Sequence, residues 1–195
     1  MMSQQQVLDE FRACGALLEG HFILSSGLHS GTYLQCARVL MEADRADRLC
    51  AELRRRVGES ITEPIDMVVS PAMGGVVVGY EMGRQLSVPA IFFERVDGTL
   101  VLRRGFEIPE KANCLMVEDI VTTGLSSREC IQGIRDAGGN VVGAACLIDR
   151  SGGEADVGVP LVSLAGLNIA TYKPDALPTD LAALEAVKPG SRGLQ

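Results

Sequence analysis

Two adjacent acids, Glu118 and Asp119, directly follow the short apolar run Leu115 to Val117 and precede a loop rich in hydroxyl groups. The hydroxyls are those of Thr122, Thr123, Ser126 and Ser127. Carboxylates repel a phosphate, so the two acids are better suited to accept hydrogen bonds from sugar hydroxyls or to organise a metal-bound ligand. The hydroxyls, in contrast, suit a phosphate. A phosphorylated ribose fits both halves of the pattern.

The elements that must position these groups are predicted to be a strand, a loop and a helix. The helix is indicated by apolar residues at helical spacing, namely Cys130, Ile131, Ile134 and Ala137. Ser126 and Glu129 are spaced for a capping box at its start, and Gly138-Gly139 ends it. The loop is thereby joined to a helix N-terminus, whose unpaired N–H groups and dipole favour a phosphate dianion.

Two stretches of the sequence resemble a known family. Val-Glu-Asp-Ile-Val-Thr-Thr-Gly-Leu-Ser, residues 117 to 126, resembles the phosphoribosyl pyrophosphate (PRPP) motif of type I phosphoribosyltransferases. The stretch from Gly20 to Tyr33 resembles the opening of the orotate phosphoribosyltransferases within that family, and the matching regions cover most of residues 15 to 150. An ordinary βα turn without a ligand is the alternative, but buried strands rarely end in paired acids.

The resemblance implies an α/β fold in which helices flank a central, mostly parallel sheet, with a small hood subdomain. At 195 residues the chain is predicted to be a single domain over 1–195, with the hood formed mainly by residues 15–40 and the C-terminal tail as a further candidate part of it. A net charge of −7 with scattered basic residues argues against nucleic acid or an anionic membrane as a partner.

Six cysteines without a CxxC pair are expected to be buried, reduced core residues, which is typical of a cytosolic protein. The sequence contains no N-terminal signal peptide and no apolar run long enough to cross a membrane. We therefore expect a soluble, cytoplasmic protein.

Elsewhere, a packing helix is predicted over residues 3 to 18, an arginine-rich surface helix over 42 to 57, and a short helix over 178 to 188 capped by Thr179 or Asp180. Residues 22 to 34 are predicted to form a hairpin-like flap. Its histidine, His29, and the nearby His21 are expected to be surface or turn residues.

In the orotate enzymes the equivalent flap encloses the base. The resemblance therefore assigns Ser25, Ser26 and Gly27 to orotate, although many relatives have a lysine where this chain has Ser25.

A second loop of small residues follows the predicted strand 66–70 and precedes a helix over 76–86. It resembles the family's pyrophosphate loop, and its residues are Ala72, Met73, Gly74 and Gly75. Glycines there let the backbone come close to a ligand. One such loop is weak evidence, but PRPP has phosphate groups at two ends and needs two such loops.

The segment from Val96 to Glu107 corresponds to the family's mobile catalytic loop but departs from its pattern. It contains no lysine or histidine, so Arg95, Arg103 and Arg104 are the cations available as catalytic groups. Arginine can neutralise pyrophosphate but is a poor general acid. The alternative interpretation is a hairpin with exposed arginines.

Strands predicted near residues 66, 90, 114 and 140 would bring their carboxyl ends to one edge of a parallel sheet. Arg150 follows the last of them, where the orotate enzymes use an arginine to hold the carboxylate of the base. A salt bridge to Asp149 or another acid is the alternative role. The resemblance also assigns Thr122 to orotate.

The resemblance implies transfer of phosphoribose from PRPP to orotate, with Mg²⁺ bound mainly through PRPP rather than directly by protein residues, in a homodimer. The PRPP-binding set from the motif is Glu118, Asp119, Ile120, Val121, Thr122, Thr123, Gly124, Leu125 and Ser126, with the second loop and Arg95. Leu125 departs from the smaller residue of many relatives. A transferase for another base and a PRPP-sensing regulator without catalysis are the alternatives.

Overall fold

The computed structural model describes residues 1–24 and 26–189 of the chain. Its helices are α1 (Gln4–Ala13), α2 (Ala37–Leu40), α3 (Ala43–Ser60), α4 (Gly75–Leu86), α5 (Leu125–Asp136) and α6 (Thr179–Ala182). Its strands are β1 (Leu17–Ile23), β2 (His29–Leu34), β3 (Met67–Pro71), β4 (Ala90–Val96), β5 (Thr99–Leu102), β6 (Asn113–Val121), β7 (Asn140–Asp149), β8 (Leu161–Gly166) and β9 (Ala186–Val187).

The central sheet has six strands in the order β5-β4-β3-β6-β7-β8. All neighbouring pairs are parallel except β4 and β5, which form an antiparallel hairpin at one edge. The mostly parallel sheet predicted from the sequence is thus confirmed, and the carboxyl ends of β3, β6 and β7 lie at the same edge.

Both faces of this sheet are covered by helices, as alternation along β6 requires. Leu115 and Val117 point into a core cluster with residues of α1, α2, α3 and α4. Cys114 and Met116 point the opposite way, into a cluster with the buried face of α5. Within the described ranges, no helix has the length and apolar character that crossing a membrane requires.

A second, three-stranded sheet has the order β2-β1-β9 and forms the hood. Strands β1 and β2 are antiparallel, whereas β9 joins β1 in parallel through His21↔Ala186 and Phe22↔Val187. The C-terminal tail therefore completes a sheet that begins near the N-terminus.

The expectation that the two histidines are surface or turn residues is wrong. His21 is 5% exposed, and its Nδ1–H donates to the Leu184 carbonyl at 3.0 Å. Its Nε2 lies 2.6 Å from Nδ1 of His29, which is half-buried on β2. Pairing of β9 with β1 brings the tail over His21 and buries the pair.

Two predicted helices are shorter in the structure. α1 ends at Ala13 rather than Leu18, because Gly15 adopts φ +66° and Leu17 begins β1. The C-terminal helix spans Thr179–Ala182 with Pro178 at its N-cap position, not Thr179 or Asp180, and residues 186–187 are extended. In both places the residues after the helix pair with a strand that is distant in the sequence, and this pairing determines where the helix stops.

The arginine-rich face of α3 is only partly the surface that we predicted. Glu52 is buried, and it accepts hydrogen bonds from Arg55 Nη2 at 2.7 Å and from Arg56 Nε at 3.1 Å. Arg56 also donates to three backbone carbonyls, those of Met2, Ser163 and Leu164. Arg54 is exposed as expected, whereas Arg56 joins α3 to the N-terminus and to β8.

The buried pairing should make Glu52 important for stability. Hydrogen bonds from Arg55 and Arg56 lower the pKa of Glu52 from 4.5 to about 2. Because the folded-state pKa is the lower one, the stabilisation is complete above pH 4.5 and is lost as the pH falls through about 2. Glu52→Gln should lower the free energy of unfolding at pH 7 by about 3 kcal/mol, since it leaves charges in the cluster without a partner.

Denaturant unfolding of parent and variant from pH 7 to pH 2 measures this difference, which should shrink as the solution is acidified. The control is Glu63→Gln, an exposed carboxylate that accepts one hydrogen bond from Thr62, with an expected change below about 0.5 kcal/mol. Equal losses in the two variants would contradict the assignment.

Candidate functional site

The acid-rich motif lies at the carboxyl end of β6 and runs into α5. β6 continues through Val121, and residues 122–124 form the loop. The predicted Ser126 capping box is wrong: the N-cap position is held by Gly124 at φ +72°, without a side-chain cap bond, and Ser126 lies in the first turn. A left-handed residue at this position requires glycine, and this requirement moves the start of the helix two residues earlier.

The two adjacent acids point to opposite faces of the sheet, as neighbouring residues of a strand do. Glu118 faces α5, where Ser127 Oγ donates a hydrogen bond to its Oε2 at 2.5 Å. Asp119 faces the loop after β3, and a Cβ placed on Gly74 would lie 2.7 Å from its Oδ1. The acids therefore line two sides of the strand end rather than one shared cluster.

Burial raises the pKa of both carboxyls. The pKa of Glu118 rises to about 7, because desolvation outweighs the hydrogen bond from Ser127 and the charge of Asp119 adds to the effect. Burial likewise raises the pKa of Asp119, against hydrogen bonds from backbone amides. Each acid thus lies in a poorly hydrated place, which suits recognition of a ligand hydroxyl.

The second predicted loop, residues 72 to 75, packs directly against β6, and its last residue, Gly75, begins α4. A Cβ on Gly75 would lie 3.1 Å from Ser70 Cβ and 3.2 Å from the Val117 carbonyl oxygen, so glycine is needed for this approach. The Ala72 amide donates to the Phe93 carbonyl at 2.7 Å, and the Ala72–Met73 peptide bond is cis. The structure therefore brings the predicted pyrophosphate loop beside the PRPP motif, and Asp119 is the motif residue that faces the loop.

The three candidate catalytic arginines belong to a hairpin, the alternative interpretation from the sequence. β4 extends to Val96 because it pairs with β5 through a turn at residues 97 and 98. Arg95 Nη2 contacts Glu129 Oε2 at 2.5 Å. Arg104 pairs with Glu94, and Arg103 lies 3.7 Å from the same carboxylate. All three side chains are substantially exposed.

Arg150 lies next to the hydroxyl-rich loop at the sheet edge. Its backbone amide donates to the Val121 carbonyl at 2.8 Å, which places it beside Thr122. Asp149 instead accepts hydrogen bonds from the amide and hydroxyl of Ser151, at 2.8 and 2.6 Å. Across residues 1–24 and 26–189 the Arg150 guanidinium forms no ion pair, so the salt bridge to Asp149 is not observed.

The hood reaches this edge through a strap, defined here as residues 167–172. The strap is held at one end by a Leu167 amide bond to the Asp149 carbonyl, at 2.7 Å, and by a bridge between Asn168 and Ser151. At the other end Ser30 Oγ donates to the Ala170 carbonyl at 3.0 Å. Ser26 and Gly27 form the turn of the flap, and Ser25 lies outside the described residues.

Sequence reasoning missed three parts of the site: the strap, the Gly74–Asp119 contact and the Ser127–Glu118 hydrogen bond. Of these, only Ser127 had a signal, since it shares the helical period of the buried residues Cys130 and Ile134. No group of three or more histidine, cysteine or acidic side chains is placed to hold a metal within the part of the chain that is described.

Comparisons with known proteins agree with this geometry. Residues 40–164 match the family model described as phosphoribosyl transferase domain. An orotate phosphoribosyltransferase of Sphingopyxis alaskensis is 58% identical over 194 residues, 99% of each chain. That of Caulobacter vibrioides is 56% identical over 194 residues, 100% of each chain. The crystal structure of orotate phosphoribosyltransferase from Aeropyrum pernix is 27% identical with a TM-score of 0.65, covering 82% of this chain and 93% of the other. The chain therefore belongs to the orotate phosphoribosyltransferase family.

Proposed function

We propose that this chain transfers the 5-phosphoribosyl group of PRPP to orotate, giving orotidine 5′-monophosphate and pyrophosphate, as a step of pyrimidine nucleotide synthesis. One observation carries the proposal: two loops suited to phosphate meet at the carboxyl ends of β3, β6 and β7, together with Arg150, whose guanidinium has no ion-pair partner among residues 1–24 and 26–189. Ligands of open α/β folds bind at this edge. The whole chain, 1–195, acts as one domain, since the tail strand β9 and the N-terminal β1 share a sheet.

The 5′-phosphate binds at the loop of residues 122–126. Backbone N–H groups of the first turn of α5 have no intrahelical partner there, and the helix dipole favours an anion. Hydroxyls of Thr122, Thr123 and Ser126 supply further donors. Glu118 and Asp119, which are acceptors when ionised, bind the hydroxyls of the ribose.

The pyrophosphate binds against the loop of residues 72–75, where Gly74 and Gly75 allow close approach of the backbone. This loop contains no cationic side chain. Mg²⁺ bound through PRPP would supply the positive charge that this loop lacks.

Arg150 and Thr122 bind orotate, with the flap residues Ser25, Ser26 and Gly27 enclosing it. A guanidinium can hold the carboxylate of the base through two parallel hydrogen bonds. The C1 atom of ribose becomes cation-like as pyrophosphate leaves, and N1 of orotate attacks from the opposite side. The protein's contribution is to position the two reactants and to neutralise charge, without a covalent intermediate.

Arg95, Arg103 and Arg104 act as the loop cations that neutralise the leaving pyrophosphate. To do so, these arginines leave their ion pairs with Glu129 and Glu94 and bind pyrophosphate oxygens instead. Pyrophosphate carries more negative charge than a carboxylate. Arginine does not lose its proton near neutral pH, so any proton that the departing pyrophosphate takes up would come from solvent.

The enzyme is a homodimer that uses the exposed side of α4. Three large apolar side chains lie on this side at helical spacing: Met73, Val77 and Tyr80 are 82%, 49% and 69% exposed. A contiguous exposed apolar patch is typical of a protein interface. Because Met73 belongs to the pyrophosphate loop, the second subunit lies beside the active site.

Six free cysteines support a reducing, cytoplasmic location.

Purified protein with PRPP and Mg²⁺ should consume orotate, followed by its ultraviolet absorbance, and should not do so without the metal. Arg150→Ala should raise the KM for orotate about 30-fold, because a charge-assisted bidentate contact is lost, and leave the Kd for PRPP nearly unchanged. Arg135→Ala, at an exposed site in the last turn of α5, is the matched control. Equal weakening of both ligands by Arg150→Ala would refute its assignment to the base.

Gly74→Ala should weaken PRPP binding about 10- to 100-fold, because the new methyl group displaces the Asp119 carboxylate. The free energy of unfolding should change little, since the carboxylate can rotate away. Gly58→Ala, in α3 where a Cβ meets nothing within 4 Å, should leave the Kd for PRPP unchanged and raise stability by up to about 1 kcal/mol. Calorimetry and thermal unfolding distinguish a local effect at the site from general loss of structure.

Sedimentation equilibrium should give twice the chain mass of 20.7 kDa for the parent. Val77→Glu should shift it towards the monomer, because a carboxylate placed in an apolar interface loses its hydration. Leu184→Glu, at an equally exposed apolar residue of the tail, should leave the dimer intact. A dimer that survives Val77→Glu would place the interface elsewhere.

A further inference from the structure

A fully buried serine holds one of the two acids of the PRPP motif. Ser127 is 0% exposed, and its hydroxyl donates to Oε2 of Glu118 at 2.5 Å. It lies in the first turn of α5, on the face packed against β6. Among the described residues no other side chain donates a hydrogen bond to the Glu118 carboxylate.

The rest of the Glu118 environment is poorly polar. Cys146 is its register partner on β7, and Cys130 lies one helical turn beyond Ser127 on α5. Burial raises the pKa of both thiols well above neutral pH, so they stay uncharged. Asp119, on the same strand, is the other charged group that acts on Glu118. The serine hydroxyl is thus the polar contact that decides how the carboxylate is oriented.

We propose that Ser127 is a positioning residue for PRPP: it binds Oε2 of Glu118, fixes the carboxylate, and leaves Oε1 to accept a hydrogen bond from a ribose hydroxyl. This inference rests on the proposed role of Glu118 in binding ribose. Ser127 itself does not contact the substrate. Its effect on binding passes through Glu118 alone.

A donor to the carboxylate also favours its ionised form, which is the form that accepts from a hydroxyl. With the Ser127 hydrogen bond, the pKa of Glu118 is about 7. Loss of that bond raises this pKa further, so ionised Glu118 becomes scarcer at neutral pH. PRPP affinity should then depend on pH differently in a variant without the hydroxyl.

The test is the Kd for PRPP, measured by calorimetry from pH 6 to pH 9 on the full chain. Ser127→Ala should raise the Kd about 10-fold at pH 7, and the acid side of the pH profile should move up by about one pH unit. The phosphate of PRPP also titrates, with a second pKa of about 6, but its effect on the Kd is the same for parent and variant. Ser127→Cys, with a weaker donor of similar shape, should fall between the two.

A double-mutant cycle separates positioning from a structural effect. In a Glu118→Ala background, which has no side-chain acceptor for the Ser127 hydroxyl, Ser127→Ala should no longer change the Kd or its pH profile. An undiminished effect there would overturn the inference, and so would a Ser127→Ala profile identical to the parent's. Thermal unfolding of each variant checks that the fold is kept.

Orotate consumption by the parent is measured separately, because it tests the proposed transferase reaction. PRPP binding that follows the expected pattern in a protein that does not consume orotate would support the role of Ser127 and refute the reaction. Active protein with an unchanged Ser127→Ala profile would do the reverse.

Discussion

Strand β6 is held on both sides by parallel partners. On one side Met67 of β3 lies opposite Cys114, and on the other side Asp149 of β7 lies opposite Val121. This register forces the segments that follow the three strands to emerge at one edge. It joins a loop near residue 73, a motif near residue 120 and Arg150, which are far apart in the chain. Gly74 and Gly75 then set how closely the first two segments approach. A Cβ at Gly75 would press on atoms of β3 and β6, whereas a Cβ at Gly74 would displace only the Asp119 carboxylate.

The parts of the fold that could be predicted from the sequence are those specified within about 20 consecutive residues. An apolar run, a glycine-rich or hydroxyl-rich loop and a helical period predicted β3 and α4 to within one residue of their observed ends. They also predicted the strand-loop-helix order of β6 and α5, although β6 spans Asn113–Val121 rather than the apolar run 115–117 alone. The site elements predicted with them, Thr122, Gly74 and Arg150, are brought to the same edge because the sheet is parallel. Whether each binds its assigned ligand is a matter for the experiments above.

What could not be predicted depends on pairings between distant residues. The end of α1, the length of α6 and the burial of His21 all follow from strands β1 and β9, which are separated by most of the chain. The start of α5 was misplaced for a different reason, since serine is a good N-cap but cannot take the left-handed conformation of Gly124 without strain. The ion pairs of Arg95 with Glu129 and of Arg104 with Glu94 could not be predicted either, because they depend on the pairing of β4 with β5 at the edge of the sheet.

The parallel pairing of β9 with β1 has a consequence for how the protein is made. A ribosome releases the strands of the central sheet, through Gly166, before it releases residues 186 and 187. The central sheet can therefore assemble while the nascent chain is still attached, whereas the second sheet lacks its third strand until residues 186 and 187 have emerged. A chain truncated before β9 would retain the six-stranded sheet and only two strands of the second sheet.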